Sequence, residues 1–422
     1  MSTAAKYAKE TFWAIASKGV AFIFYYSLVY YLTRKMTVEI WGEWSAFLAL
    51  LNIVMLVSDL GINSASKRYI AQARDAAELG GVVRTTFVLR VLASLVYALL
   101  FALAIHPLLE WLGQPEYLDL MQRSLLLVAL YGIMDYFKHL FEALHRLRFT
   151  FVVSVLEHGL KFLLVIVLFQ SGEQFIAIVT AFTIAVGIAM VGGLFFTLQT
   201  IPRVLVSSGP PKLTQKVFLY SLPVFLMSIG SFFALEIDTI MLKNLRTAYD
   251  TGIYSAAKTI VIFLPHLSVA FSMGFIPGLA VFDASDALAK RRIFYRVLGV
   301  LTGMYLLIDL ALAAFALFGL DLFFRKSYEA AAVPLLALTP FVLFSGISTY
   351  CGNLLDYRGL AWTRSINFVF TIIANVLLNW WWIPKWGAVG AAAASSIAFA
   401  PYCALNLWQA HAAFAANRLS KA

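Results

Sequence analysis

Charge is what this sequence has least of. Asp, Glu, Lys and Arg together make up 13% of its 422 residues, against about a quarter in an ordinary soluble domain. Water is therefore not the main solvent of the folded chain. Cysteine is equally scarce, and the two present, Cys351 and Cys403, fall inside apolar runs, so no disulfide framework is implied. No Gly-x-x-x-x-Gly-Lys stretch exists to cradle nucleotide phosphates, which removes ATP hydrolysis by this chain as a driver. Polar stretches between the apolar runs are short. Their shortness speaks against a membrane polymerase or ligase with a large external catalytic loop, which stays as the weaker alternative.

What the sequence has is apolar length. It is 62% hydrophobic, with a mean hydropathy of +0.84. A helix crossing a bilayer needs roughly 17–25 mostly apolar residues. Twelve runs meet that need, at about 11–33, 44–63, 86–109, 121–141, 150–170, 175–198, 217–241, 253–281, 295–320, 333–355, 365–384 and 388–412. Lys and Arg crowd alternate loops, as in Lys67, Arg68 and Arg74, in Lys138, Arg146 and Arg148, and in Lys290, Arg291, Arg292 and Arg296. The intervening side holds only Arg34, Lys35, Arg123, Lys243, Arg246, Arg325, Lys326 and Lys385, while Lys18, Lys161 and Lys258 lie within spans. Cytoplasmic loops carry the Lys and Arg excess, so both termini are expected in the cytoplasm of a multi-pass protein. The same bias, with anionic lipid headgroups, accounts for the net charge of +10 and leaves nucleic acid out as a partner.

The chain divides near the turn-forming stretch Val206 to Pro211, giving an expected N-terminal six-helix bundle at 1–205 and a C-terminal one at 206–422. Just after the first span of each half stands a matching phrase. Gly42-Glu43-Trp44-Ser45-Ala46 compares with Gly252-Ile253-Tyr254-Ser255-Ala256, offset by 210 residues. An even number of helices per half keeps both halves in one orientation, which is a parallel repeat. Such repeats suit a transporter with its substrate path between them and rocking as its motion.

These residues resemble a known family. The first half reads Tyr31-Leu32-Thr33-Arg34, Trp41-Gly42-Glu43-Trp44, and Ser58-Asp59-Leu60-Gly61 followed by Lys67-Arg68-Tyr69-Ile70-Ala71. The second reads Tyr220-Ser221-Leu222-Pro223, Ile237-Asp238-Thr239-Ile240-Met241-Leu242, Asn375-Val376-Leu377-Leu378-Asn379 and Ile383-Pro384-Lys385-Trp386-Gly387. Together they look like the bacterial polysaccharide transporters (Wzx-type oligosaccharide flippases) of the multidrug/oligosaccharidyl-lipid/polysaccharide exporter superfamily. The resemblance implies an all-α membrane protein of about twelve helices in two six-helix bundles forming a V. It implies alternating-access flipping of undecaprenyl-diphosphate-linked oligosaccharides from the cytoplasmic to the periplasmic leaflet of the bacterial inner membrane. The product would feed polysaccharide biosynthesis, as lipopolysaccharide, capsule or exopolysaccharide, with polymerase machinery as a partner. Twelve spans rather than fourteen argue against the lipid II branch. A cation-coupled drug antiporter of the same superfamily is the alternative. That branch typically has a carboxylate in its first helix, where this chain has only Lys18 between Thr11 and Thr33.

A charge at the bilayer centre costs about 2.5–3.5 kcal/mol, so charged residues inside spans are the candidate sites. Lys18 and Lys161 are expected to bind substrate, as cationic lining for a diphosphate; the competing reading for Lys161 is a pair with Glu157 at i, i+4. Asp238 and Lys258 are expected to form a structural ion pair at matching depth. Glu236 lies two residues from Asp238 and hence on a nearly opposite helix face, so at most one of the two is a coupling site. Asp309 and Glu236 are the coupling candidates for a proton or sodium counter-ion, with a hydrogen-bonded neutral Asp309 as the alternative. Asp135, His139, Glu142 and Arg146 share one helix face and suggest an ion network with Glu157 and His158. Glu142-x-x-His145 resembles half of a carboxylate metal site without the second half it needs, so neither metal nor other cofactor is expected. Pro223, Pro265, Pro277, Pro340 and Pro401 concentrate bends in the second half.

Overall fold

The computed structural model describes residues 3–169, 174–201, 210, 212–269, 271–272, 276, 287–358 and 360–415. Among these the chain is helical throughout, without strands. The helices are α1 (Thr3–Lys35), α2 (Val38–Asp59), α3 (Ile62–Ala71), α4 (Ala76–Trp111), α5 (Leu118–Arg123), α6 (Leu125–Ala143) and α7 (Leu147–Ser154). They continue with α8 (Leu160–Leu168), α9 (Gln174–Thr200), α10 (Leu213–Leu245), α11 (Ala248–Val261), α12 (Ala287–Phe318), α13 (Ala332–Tyr357) and α14 (Ala361–Ala415). By length and composition, 9 helices among the described residues can cross a membrane, or 10 with the bent pair α5–α6. One of them, α14, is two runs joined at Gly387, whose φ of 54° breaks the helix, and α10 covers the seventh expected run. Among the described residues, each of the twelve runs therefore coincides at least in part with a helix.

Lipid dictates what these helices show outside. Leu103, Leu307, Leu310 and Phe318 are each at least two-thirds exposed, which only an apolar solvent tolerates on this scale. Without a hydrophobic drive between helices, association relies on close backbone approach at small residues.

Two compact packing units emerge, Met1–Leu32 with Leu50–Ile229, and Thr33–Ala49 with Gly230–Ala422. The first half of α2 thus packs in the second unit, and the first half of α10 in the first. The expected boundary at 205/206 and Pro277 lie outside the described residues; we propose the halves 1–205 and 206–422 as the duplicated repeat beneath these units.

In the first unit, α9 presents Ala181, Ala185, Ala189 and Gly193 at every fourth position, all buried. Phe137 of α6 fills the notch at Gly193, where an added Cβ would stand 2.7 Å from the ring. The α2 span breaks at Leu60 and Gly61, which have φ of 49° and 70°. Gly61 is required there, because its backbone lies against the Ser221 carbonyl with no room for a side chain. Arg90, fully buried on α4, donates from Nη1 to the freed carbonyls of Ser58 (2.8 Å) and Asp59 (3.0 Å). A cation at a helix C-terminus meets the negative end of the helix dipole, so a buried arginine is held where a span is interrupted.

In the second unit, α2 and α11 cross at Gly42 and Gly252. A Cβ on Gly42 would stand 2.8 Å from the Gly252 nitrogen and closer still to the Ala248 carbonyl oxygen. A Cβ on Gly252 would meet the Val38 carbonyl oxygen in the same way. Each glycine therefore meets the carbonyl four residues before the other. The two N-caps correspond too: Thr37 Oγ1 accepts from Ile40 N at 3.3 Å, and Thr247 Oγ1 from Asp250 N at 3.1 Å. The repeat phrase marks both sides of one reciprocal crossing.

Candidate functional site

The run from Leu147 to Leu168 contains one π turn, Val155–Gly159, and the turn carries Glu157. Such turns are rare and are frequently found at functional positions. The carboxylate is 1% exposed, although it is an acid inside an apolar run. Burial of this kind requires charged partners. Lys161 Nζ donates to Oε1 at 2.7 Å, Lys138 Nζ from α6 to Oε2, and His158 Nε2 lies 3.6 Å from Oε2. Lys161 is steadied further by the rings of Tyr131 and Phe182, with centroids 5.7 and 5.2 Å from Nζ. Lys18 sits on α1 beside Ser17, whose hydroxyl meets that of Ser154 at 2.8 Å. It lies on the exposed stripe of α1 with Ile15 and Phe22. Two ammonium groups, those of Lys138 and Lys161, thus hold one carboxylate.

Part of the network expected at the end of α6 forms beside this core, without a side-chain bond from Arg146 among the described residues. Asp135 Oδ2 accepts from Asn63 Nδ2 at 3.0 Å and lies 3.3 Å from His139 Nδ1, while Lys67 reaches Glu142 at 2.5 Å. Asn63 enters the network with no signal in the sequence. Arg90 lies within the expected run 86–109, and that placement is the signal for a buried cation at the break in the α2 span.

The second unit redraws the expected ion pair. Lys258 Nζ lies 2.9 Å from Glu236 Oε2 and 2.8 Å from Thr239 Oγ1, so the acid expected to couple is the one that pairs. Asp238, expected as the partner, is instead held by neutral donors: Tyr254 Oη at 2.5 Å, Asn379 Nδ2 at 2.6 Å and the Ser395 hydroxyl. The reason is helical register. Tyr254 and Lys258 are one turn apart on the same face of α11, and α10 offers Asp238 to the first and Glu236 to the second. Behind Asp238 runs a buried stripe of α14, Asn367, Thr371, Asn375 and Asn379, at every fourth position. Asn379 Nδ2 bonds Asn375 Oδ1 at 3.1 Å, Asn375 Nδ2 bonds Ser395 Oγ at 3.3 Å, and Asn367 Nδ2 reaches Gln409 at 2.8 Å. Polar residues at a spacing of four within an apolar run were the signal that could have revealed it.

Asp309 lies on the core-facing stripe of α12 with Tyr305, Leu312 and Ala316. Its Oδ1 is buried and finds no hydrogen-bond partner among the described residues. The structure does not bring it together with Asp238 or Glu236 in any hydrogen bond or ion pair among the described residues. Among those residues, no group of three or more His, Cys, Asp or Glu side chains is placed to hold a metal ion.

Comparison with known proteins adds the following. The family model described as "Polysaccharide biosynthesis protein" matches residues 7–282. No curated protein matches the chain. Among solved structures, a multidrug resistance MATE family transporter of the MOP superfamily in an inward-facing conformation is similar with a TM-score of 0.80. Identity is 12%, covering 97% of this chain and 100% of that one. A Vibrio cholerae MATE transporter gives 0.67 at 13% identity over 97% and 98%. A MOP superfamily transporter from Pyrococcus furiosus, described as having a binding pocket of reverse polarity, gives 0.65 at 14% over 95% and 96%. At these identities the likeness is one of fold.

Proposed function

Because the chain belongs to the polysaccharide biosynthesis protein family and has the fold of a MOP superfamily transporter, we propose that it flips lipid-linked oligosaccharides across the bacterial inner membrane. The cargo is an undecaprenyl-diphosphate-linked repeat unit, carried from the cytoplasmic to the periplasmic leaflet by alternating access. Both termini lie in the cytoplasm, and the product passes to polysaccharide polymerase machinery. The polyprenyl tail stays among membrane lipids while the charged headgroup crosses.

The observation that carries this reading is in the first unit, where Lys138 and Lys161 are held on the single buried carboxylate of Glu157, with Lys18 an exposed cation on α1. A diphosphate entering a low-dielectric interior needs positive charge waiting there. Lysine suits a cargo that must move on, because its ammonium acts as a point charge without a fixed fork geometry. Lys18 and Lys161 remain the substrate-binding residues in this proposal, and Lys138 joins them.

Counter-ion coupling, by proton or sodium, falls to the second unit. Glu236 is neutralised by Lys258, which leaves Asp309 and Asp238 as the carboxylates able to exchange an ion. The same two carboxylates are what a drug antiporter would use, and the basic first helix is what speaks for the flippase.

Replacing Lys18 by Ala tests the reading, since this lysine is exposed and its loss leaves no buried partner behind. Polymer export, or flipping of undecaprenyl diphosphate in vesicles, is expected to fall at unchanged membrane level of the protein. Undiminished export at that level would sink the proposal.

A further inference from the structure

Glu157 looks wasteful in a site built to attract an anion, because it neutralises cations that the cargo needs. Both of its oxygens are engaged, Oε1 with Lys161 at 2.7 Å and Oε2 with Lys138. Among the described residues the charged groups around it come from two elements. Asp135, Lys138 and His139 stand on α6, and His158 and Lys161 on its own segment. No charged residue stands anywhere along α9, which packs against the π turn and contributes the ring of Phe182.

We propose that Glu157 is an internal counter-anion that sets the specificity of the cationic site, occupying Lys138 and Lys161 until a headgroup with more than one negative charge displaces it. The inference rests on the diphosphate reading above and names what selects that headgroup. Its physical basis is competition. The cytoplasmic leaflet is rich in lipids bearing a single negative charge, drawn to any bare lysine near its surface. A lone carboxylate already bonded to two ammonium groups matches what a monoanionic headgroup offers, so exchange gains nothing. A diphosphate brings at least one further charge and several more acceptor oxygens, and charge-assisted bonds are the stronger kind. The geometry also provides for the moment of exchange. Lys161 keeps its position between the Tyr131 and Phe182 rings when the carboxylate withdraws, and a π turn, with its looser backbone bonding, is a segment able to let it withdraw.

The test compares lipid binding to the purified full chain in neutral nanodiscs, using undecaprenyl diphosphate, undecaprenyl monophosphate and phosphatidylglycerol as probes. Wild type is expected to prefer the diphosphate by about tenfold or more, a difference the size of one charge-assisted bond. Glu157→Gln is expected to tighten monophosphate and phosphatidylglycerol binding by about tenfold, so that the preference collapses. A purely structural role would weaken all three lipids, and that result, or an unchanged preference, overturns the inference. Should Glu157→Gln fail to fold, difference infrared spectroscopy on wild type decides: undecaprenyl diphosphate is expected to shift a buried carboxylate band that phosphatidylglycerol leaves in place, and equal shifts or none overturn the inference. Wild type that binds none of the three lipids refutes the flippase reading itself.

Discussion

Substituting Ala for Gly42 or Gly252 puts the reciprocal crossing of α2 and α11 to the test. The added methyl on Gly42 would lie 2.8 Å from the Gly252 nitrogen, where ordinary contact begins at 3.4 Å, and nearer still to the Ala248 carbonyl. The backbones must therefore part by more than half an ångström, loosening packing along the whole contact. Overpacking costs about 1–3 kcal/mol, and alanine's better helix propensity returns up to about 1 kcal/mol. A net loss of about 1–2 kcal/mol is expected for each variant. Both methyls push on the same separation, so the double variant is expected to cost less than the two singles added, by at least about 0.5 kcal/mol. Gly299 and Gly303 serve as controls, since nothing lies within 4 Å of a Cβ at either. Alanine there should be neutral or mildly stabilising. The assay is equilibrium unfolding in mixed SDS and neutral-detergent micelles. Strict additivity, or a cost no greater than at Gly299, would refute the crossing as drawn.

Three further outcomes are expected. Gly132→Ala should act like loss of Arg90, because its methyl would stand 2.9 Å from Arg90 Nε and closer to the guanidinium tip; in an Arg90→Ala background the same change should be almost silent in the unfolding assay. Arg90→Leu alone should cost about 3–5 kcal/mol, as the Asp59 carboxylate, 3.5 Å from Nη1, and the carbonyls of Ser58 and Asp59 lose their cation. Asp238→Asn and Asp309→Asn combined should abolish the dependence of transport on an ion gradient in vesicles, whereas removing the Glu236–Lys258 pair together as Gln and Met should preserve that dependence; the reverse result would return coupling to Glu236.

Some of the site was legible in advance and some was not. The pairing of Glu157 with Lys161 was visible as an i, i+4 spacing within one helix, and the network of Asp135 and His139 as a shared face. Lys138 could not be assigned to Glu157 from sequence, since it arrives from another helix at a rotation no spacing specifies. Which of Glu236 and Asp238 pairs with Lys258 was hidden for the same reason. Two residues apart on one helix they face different ways, and which faces Lys258 depends on how α11 packs against α10. The polar stripe of α14 was legible and went unread, its four members scattered through a run that hydropathy scores as a single apolar block.

The amino-acid order alone determined the apolar runs, the alternation of basic loops between them and the duplicated phrase. A bilayer is a uniform apolar slab, and residence in it depends only on the length and composition of each run. Folding in three dimensions decided which base neutralises which acid, where α2 breaks, and how each packing unit comes to include half a helix from the other half of the sequence. Those outcomes turn on distances of a few ångströms and on helix rotations of about 100° per residue. Only the packed neighbours fix either.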